Sequence, residues 1–179
     1  MTVLPLVIAP DERLNTPSEK VKVVDDSIRK LLSDMLDTMY ANDGIGLAAV
    51  QVGVHKRCIV VDVAVRDGGN DPIKLVNPEI IARSEEPRTF TEGCLSFPDQ
   101  YSDVVRPDTV TVRYLDENGV EKTLEANDIL STCLQHEIDH INGIVFVDHI
   151  SRLKRDMIIK KLQKAKKLGL VNAVDSAPV

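Results

Sequence analysis

Residues 136–140 read His-Glu-Ile-Asp-His. Two histidines four residues apart lie ~40° from each other around an α-helix, so a helical segment lets both imidazoles reach one metal ion. The intervening Glu137 lies ~100° from His136, placed to serve a water at the metal rather than the metal itself. With four histidines in 179 residues, chance would give this pattern only about 0.005 times per chain. The flanks agree with a helix: Asn127 or Asp128 can cap its start, it runs through Ile141, and Gly143 sits where a stop belongs.

Around that helix the chain reads as one domain, 1–170, with 171–179 as a frayed tail. From Asp25 to Ala41, apolar residues recur at three and four (Ile28, Leu31, Leu32, Met35, Leu36, Met39), which predicts an amphipathic helix capped by Asp25 or Asp26. The β-branched run RCIVVDVAV predicts a buried strand, and residues 66–72 a surface loop. KLVNPEII predicts a strand interrupted at Asn77-Pro78. TVTVRYL and VEKTLEA predict a hairpin closed around Asn118-Gly119. A third helix, from about Ser151 to Leu168, carries Leu153, Met157, Ile158, Leu162, Ala165 and Leu168 on one side.

Hydrophobic residues at 43% and charged residues at 28% exclude disorder and coiled coil as whole-chain readings. No apolar run approaches the ~20 residues of a membrane helix, and the opening MTVLPLVIAPDER lacks a basic leader region. Three cysteines without C-x-x-C spacing predict no disulfide framework and a reducing compartment. The net charge of -6 argues against bulk nucleic-acid binding, DNA included. Yet Arg152 to Lys167 holds eight basic residues and one acid, Asp156, a local charge of +7. That segment reads as a solvated helix face or as a docking surface for an anionic partner such as RNA.

A third ligand decides the chemistry. The extension H-E-x-x-H-x-x-G-x-x-H fails, because Phe146 stands at its last position. A downstream glutamate is also absent, since none follows His140. His149, in FVDHIS, reads as a packed or capping histidine. Cys58 and Cys133 read as small buried hydrophobes. Cys94 differs, because its neighbours in Glu92-Gly93-Cys94-Leu95-Ser96 are polar or permissive of close backbone approach. Two histidines and one cysteine leave a fourth metal position for water. A nucleophilic Cys–His hydrolase is the other option, but it leaves the second histidine and Glu137 without a task. In GIGLAAVQ, residues 44–51, the glycines read as a turn or as backbone near a ligand, and Gln51 carries an amide able to donate to a developing oxyanion.

The ordered trio GIGLAAVQ, EGCLS and QHEIDH resembles peptide deformylase of the bacterial type I branch, with the likeness running from LPLVIAPDERL through VFVDHISRLKR. Val50 departs from the proline or other small apolar residue expected before Gln51. The resemblance implies an α+β fold in which antiparallel strands wrap a central helix carrying H-E-x-x-H, with an N-terminal and a C-terminal helix. It implies a hydrolase of protein biosynthesis that removes the formyl group from the N-terminal methionine of new polypeptides and releases formate. Cys94, His136 and His140 become the ligands of one divalent ion, ferrous iron in the cell, with zinc, nickel or cobalt able to occupy the site. Glu137 becomes the proton carrier, with Gln51 and the Leu95 backbone N–H as oxyanion donors. Ile45, Gly46, Phe90, Glu92, Gly93, Ile129 and Cys133 become the substrate cleft, and Arg106 a partner for Glu92. The implied partners are N-formylmethionyl nascent chains and, through the basic helix, the ribosome. The implied location is the bacterial cytoplasm, ahead of an organelle matrix. The competing reading is a zinc endopeptidase that shares H-E-x-x-H and cuts internal bonds.

Overall fold

In the computed structural model, which describes residues 2–170, three α-helices and seven strands are arranged around three hydrophobic cores, two of which share one sheet. The elements are α1 (Asp26–Ala41), β1 (Gly46–Ala48), β2 (Cys58–Val61), β3 (Ile73–Arg83), β4 (Pro87–Cys94), β5 (Phe97–Pro107), β6 (Val110–Leu115), β7 (Glu121–Ala126), α2 (Asp128–Ile141) and α3 (Arg152–Lys167). A five-stranded antiparallel sheet has the order β1-β2-β3-β6-β7, and β4 with β5 makes a separate antiparallel hairpin.

The α1 helix starts where Asp25 accepts a hydrogen bond from the Ile28 N–H at 3.1 Å, satisfying one of the orphan donors of the first turn. Its buried stripe of Ile28, Leu32, Met35, Leu36 and Met39 packs on Leu47, Cys58, Val60 and Val76. The other face of the sheet presents Ile59, Val61, Leu75, Val110 and Val112 to Cys133, Leu134, Ile138 and Ile141 of α2. Alternate residues of β2 therefore serve opposite helices, which is why all four are buried although side chains change face at every step. Each such aliphatic burial contributes roughly 1.5–3 kcal/mol.

The predicted strand RCIVVDVAV stops at Val61. Buried Asp62 accepts from the Ala64 N–H at 3.0 Å, and residues Ala64–Asp67 turn into a 3-10 segment. Such a side chain-to-backbone bond competes with the ladder and ends it. Asn77-Pro78 does not break β3 in two. Asn77 takes φ +50°, the register shifts between Val76 and Glu79, and the Asn77 amide exchanges two 2.8 Å bonds with the Val21 backbone. The interruption is a bulge inside one long strand. The β4–β5 hairpin has no forerunner in the sequence reading.

The α2 helix is buried nearly all round, its polar residues Ser131, Gln135, His136, Glu137 and His140 included. A helix in that position lies inside the molecule, between the large sheet and β5. The α3 helix is less embedded than its pattern predicts. Leu162 is buried and Ile158 and Ala165 are half-buried, whereas Leu153, Met157 and Leu168 are exposed. It touches the core along one narrow line beside the 3-10 turn Phe146–His149. The predicted frayed tail, 171–179, lies outside the described residues. Among those described, no helix is long and apolar enough to cross a membrane.

Candidate metal centre and substrate cleft

Helical spacing places His136 and His140 on adjacent turns of α2, with ring centroids 5.0 Å apart. Cys94 ends β4 at a shift in the hairpin register, which turns its thiol toward that face. The Cys94 Sγ lies 3.2 Å from His140 Nε2, and one donor atom from each of Cys94, His136 and His140 lies within 4.8 Å of the others. A thiolate and two imidazoles at this separation fit one divalent metal ion of the zinc or iron kind. Burial takes the His140 imidazole well below its usual range, and the neutral ring is the form that ligates. Among the described residues this is the cluster of metal-ligating type.

Glu92 lies behind His136. Its Oε2 accepts from His136 Nδ1 at 2.9 Å, leaving Nε2 of the ring for the cluster. Arg106 grips the same carboxylate through Nε at 2.5 Å and Nη2 at 3.0 Å, so the expected pairing is present. Burial raises the Glu92 carboxyl, but hydrogen bonds from His136 and Arg106 outweigh it and hold it at about 2. Arg106 reaches on through Nη1 to Asp139 Oδ2 at 2.7 Å.

Glu137 is buried, and its Oε2 has no protein partner. Burial pushes its carboxyl up to about 7, against the pull of the His136 charge. Gly46 makes room for it: a Cβ there would lie 2.5 Å from Glu137 Oε1 and 2.8 Å from Cys133 Sγ. Gln51 comes from the 3-10 turn Ala49–Val52 that follows β1. Its Oε1 accepts from the Ala48 N–H at 2.8 Å, which sets the amide plane. Its Nε2 then lies 3.2 Å from Ser96 Oγ and 3.4 Å from Cys94 Sγ.

These groups open on a cleft of about 770 Å³. Ile45, Gly46, Phe90, Glu92, Gly93, Ile129 and Cys133 all line it, together with Gln51, Cys94, Leu95, His136 and Glu137. Both Glu92 oxygens are taken by Arg106 and His136. His140 lies behind the lining. The sequence reading passes over Ser96, Asp139 and the rim residues Arg66 and Tyr101. Ser96 and Asp139 sit inside the recognised motifs, which is the one signal that marks them. Arg66 and Tyr101 carry none.

A family model described as polypeptide deformylase matches residues 3–156. The chain is 52% identical over 165 residues to a peptide deformylase of Agrobacterium fabrum, covering 92% of this chain and 97% of that one. It is 50% identical over 174 residues to a peptide deformylase of Rhizobium meliloti, covering 97% and 100%. The crystal structure of peptide deformylase from Ehrlichia chaffeensis in complex with actinonin superposes with a TM-score of 0.89 at 48% identity, covering 93% of this chain and 99% of that one. By sequence and by fold, the chain belongs to the polypeptide deformylase family of metal-dependent hydrolases, which remove the N-formyl group from newly made polypeptides.

Proposed function

We propose that Cys94, His136 and His140 hold one divalent ion and that the adjoining cleft hydrolyses the formyl amide of N-formylmethionyl chains. The observation that carries this reading is the convergence of three ligand atoms within 4.8 Å beside a buried carboxyl with an unpartnered oxygen. An ion held there supplies Lewis acidity and lowers the pKa of water toward neutrality. Glu137, at about 7, is poised to take a proton from the attacking water and to return it to the leaving amine nitrogen. The Gln51 amide, held by Ala48, offers an N–H to the developing oxyanion, and the Leu95 backbone N–H is the second donor.

Ile45, Phe90, Ile129, Cys133 and the His136 ring form the wall for the methionine side chain. Main-chain groups of Ile45, Gly46 and Gly93 pair with an extended peptide, as in strand addition. The thiolate and imidazole ligands accept iron, zinc, nickel or cobalt, and we assign ferrous iron in the cytoplasm, where availability selects the metal. The exposed Lys160, Lys161 and Lys164 of α3 form the face that approaches ribosomal RNA. Charge reversal at these three should weaken ribosome co-sedimentation and spare formate release from a short peptide; unchanged co-sedimentation would remove the docking role. An endopeptidase finds no downstream glutamate to complete its metal site.

The test of the reaction is formate release from formyl-Met-Ala-Ser by protein loaded anaerobically with iron and, in parallel, with zinc. Release with iron, abolished in Glu137→Ala and Cys94→Ala, supports it. Internal cleavage of an unblocked peptide without formate release would overturn it.

A further inference from the structure

The hydrogen bonds around His136 do not end at Glu92. A carboxylate on a soft terminal torsion can rotate, so one bond to Glu92 is a loose anchor for an imidazole. Arg106 removes that freedom by its two-point grip. The remaining arm of the guanidinium, Nη1, is tied at 2.7 Å to Asp139 Oδ2. The same Asp139 oxygen lies 2.7 Å from Nε2 of His149. A carboxylate only accepts, so His149 carries its N–H at Nε2 and donates. The chain His149–Asp139–Arg106–Glu92–His136 thus runs from a side chain that is one-third exposed to a buried ring of the metal centre. It passes through α2, β5 and β4 and ties the β4–β5 hairpin to the helix and to the turn that carries His149, which no strand ladder does.

The turn that supplies His149 also supplies Phe146, whose ring lies against His136 at 6.2 Å between centroids and 24° between planes. One short segment therefore holds the same imidazole from its face and, through four side chains, from its Nδ1 edge. We infer that His149 is a positioning residue for the metal centre: it fixes Asp139 and Arg106, and through them the orientation of Glu92 and His136. This inference rests on Cys94, His136 and His140 being the ligands.

The test uses cobalt-loaded protein and compares wild type with His149→Phe and with His149→Gln, which restores an N–H donor at similar reach. Three readouts are the visible absorption of the cobalt–thiolate centre, the rate of cobalt loss to a chelator, and kcat and KM for formyl-Met-Ala-Ser. Loss of an outer partner of a metal-ligating histidine typically costs 10- to 100-fold in affinity or activity, and the remoteness of His149 points to the lower end. The expected result for His149→Phe is about tenfold faster cobalt loss, a shifted spectrum and a lower kcat at unchanged KM, with His149→Gln near wild type. If His149→Phe does not accumulate folded, His149→Ser, too short to reach Asp139, gives the same comparison. A wild-type spectrum and wild-type cobalt retention in His149→Phe or His149→Ser, with only a lower melting temperature, would overturn the inference and leave the metal site standing. Absence of any cobalt–thiolate band in the wild-type protein would remove the metal-site reading and this inference with it.

Discussion

His136 donates from Nδ1 to Glu92 Oε2 at 2.9 Å, so a residue of the β4–β5 hairpin decides which nitrogen of a helix histidine faces Cys94 and His140. The hairpin is thus part of the site's architecture, because it also carries Cys94 and Arg106.

Arg106→Leu removes a guanidinium that is 5% exposed from a carboxylate that is equally buried. Breaking one side of a buried pair strands the other charge and costs about 3–5 kcal/mol. Urea unfolding should report a loss of that size. A loss below about 1 kcal/mol would mean that Glu92 finds another partner or takes up a proton.

Gly46→Ala should harm catalysis far more than stability. The new Cβ displaces the Glu137 carboxylate, which it would otherwise approach to 2.5 Å. A displacement near 1 Å can cost about 100-fold in rate, whereas overpacking of one methyl costs roughly 1–3 kcal/mol. Formate release and thermal melting, measured on the same preparation, separate the two effects.

Alkylation should distinguish the three thiols. Burial pushes the Cys58 thiol up to about 12 and the Cys133 thiol well above its usual value, so neither supplies thiolate near neutral pH. Cys94 is only half-buried and lines the cleft. Iodoacetamide at pH 8 should add one label to metal-free protein, at Cys94 by mass spectrometry, and none when the metal is bound. Labelling of Cys58 would contradict the packing between β2 and α1.

Tyr40 predicts a pH dependence at the alkaline end. Burial, then its hydrogen bond to Asp62 at 2.7 Å, raises its hydroxyl to about 12. The unfolded tyrosine ionises near 10, so between about 10 and 12 the folded state holds the proton that the unfolded state has released. The contribution is full below pH 10 and is lost as pH rises through 12. Urea midpoints at pH 9, 10 and 11 should fall more steeply for wild type than for Tyr40→Phe, and parallel slopes would remove Tyr40 as the cause.

Much of the site was legible because its signals are local. The period of a helix places His136 and His140 on one side whatever surrounds them, and Asp25 caps α1 by reaching three residues ahead. Of the seven residues assigned to the substrate cleft, Ile45, Gly46, Glu92 and Gly93 lie in motifs that could be named from the chain, and Phe90, Ile129 and Cys133, outside those motifs, line the same cleft. The interruption at Asn77-Pro78 was visible, but its outcome as a bulge was not. That outcome depends on the Val21 backbone, 56 residues away, satisfying the Asn77 amide. The β4–β5 hairpin was missed because Gly93 reads only as a place of close backbone approach, whereas it is paired opposite Tyr101 and Pro98 lies within β5.

The amino-acid sequence alone determined the chemistry available to this protein: a helix with two imidazoles and a carboxyl at metal-binding spacing, a thiol in a permissive segment, and an amide after a glycine-rich turn. Local backbone geometry sets those relations, and it can be read without knowing the fold. Tertiary structure decided the rest. It brought Cys94 to His140 from 46 positions away, buried Glu137 deeply enough to raise its carboxyl, left Leu153 and Met157 of α3 in solvent, and linked His149 to His136 through Asp139, Arg106 and Glu92. Each depends on which surfaces meet across the β4–β5 hairpin and the central helix. That is set by strand register and the competition for buried area, and no local period encodes either.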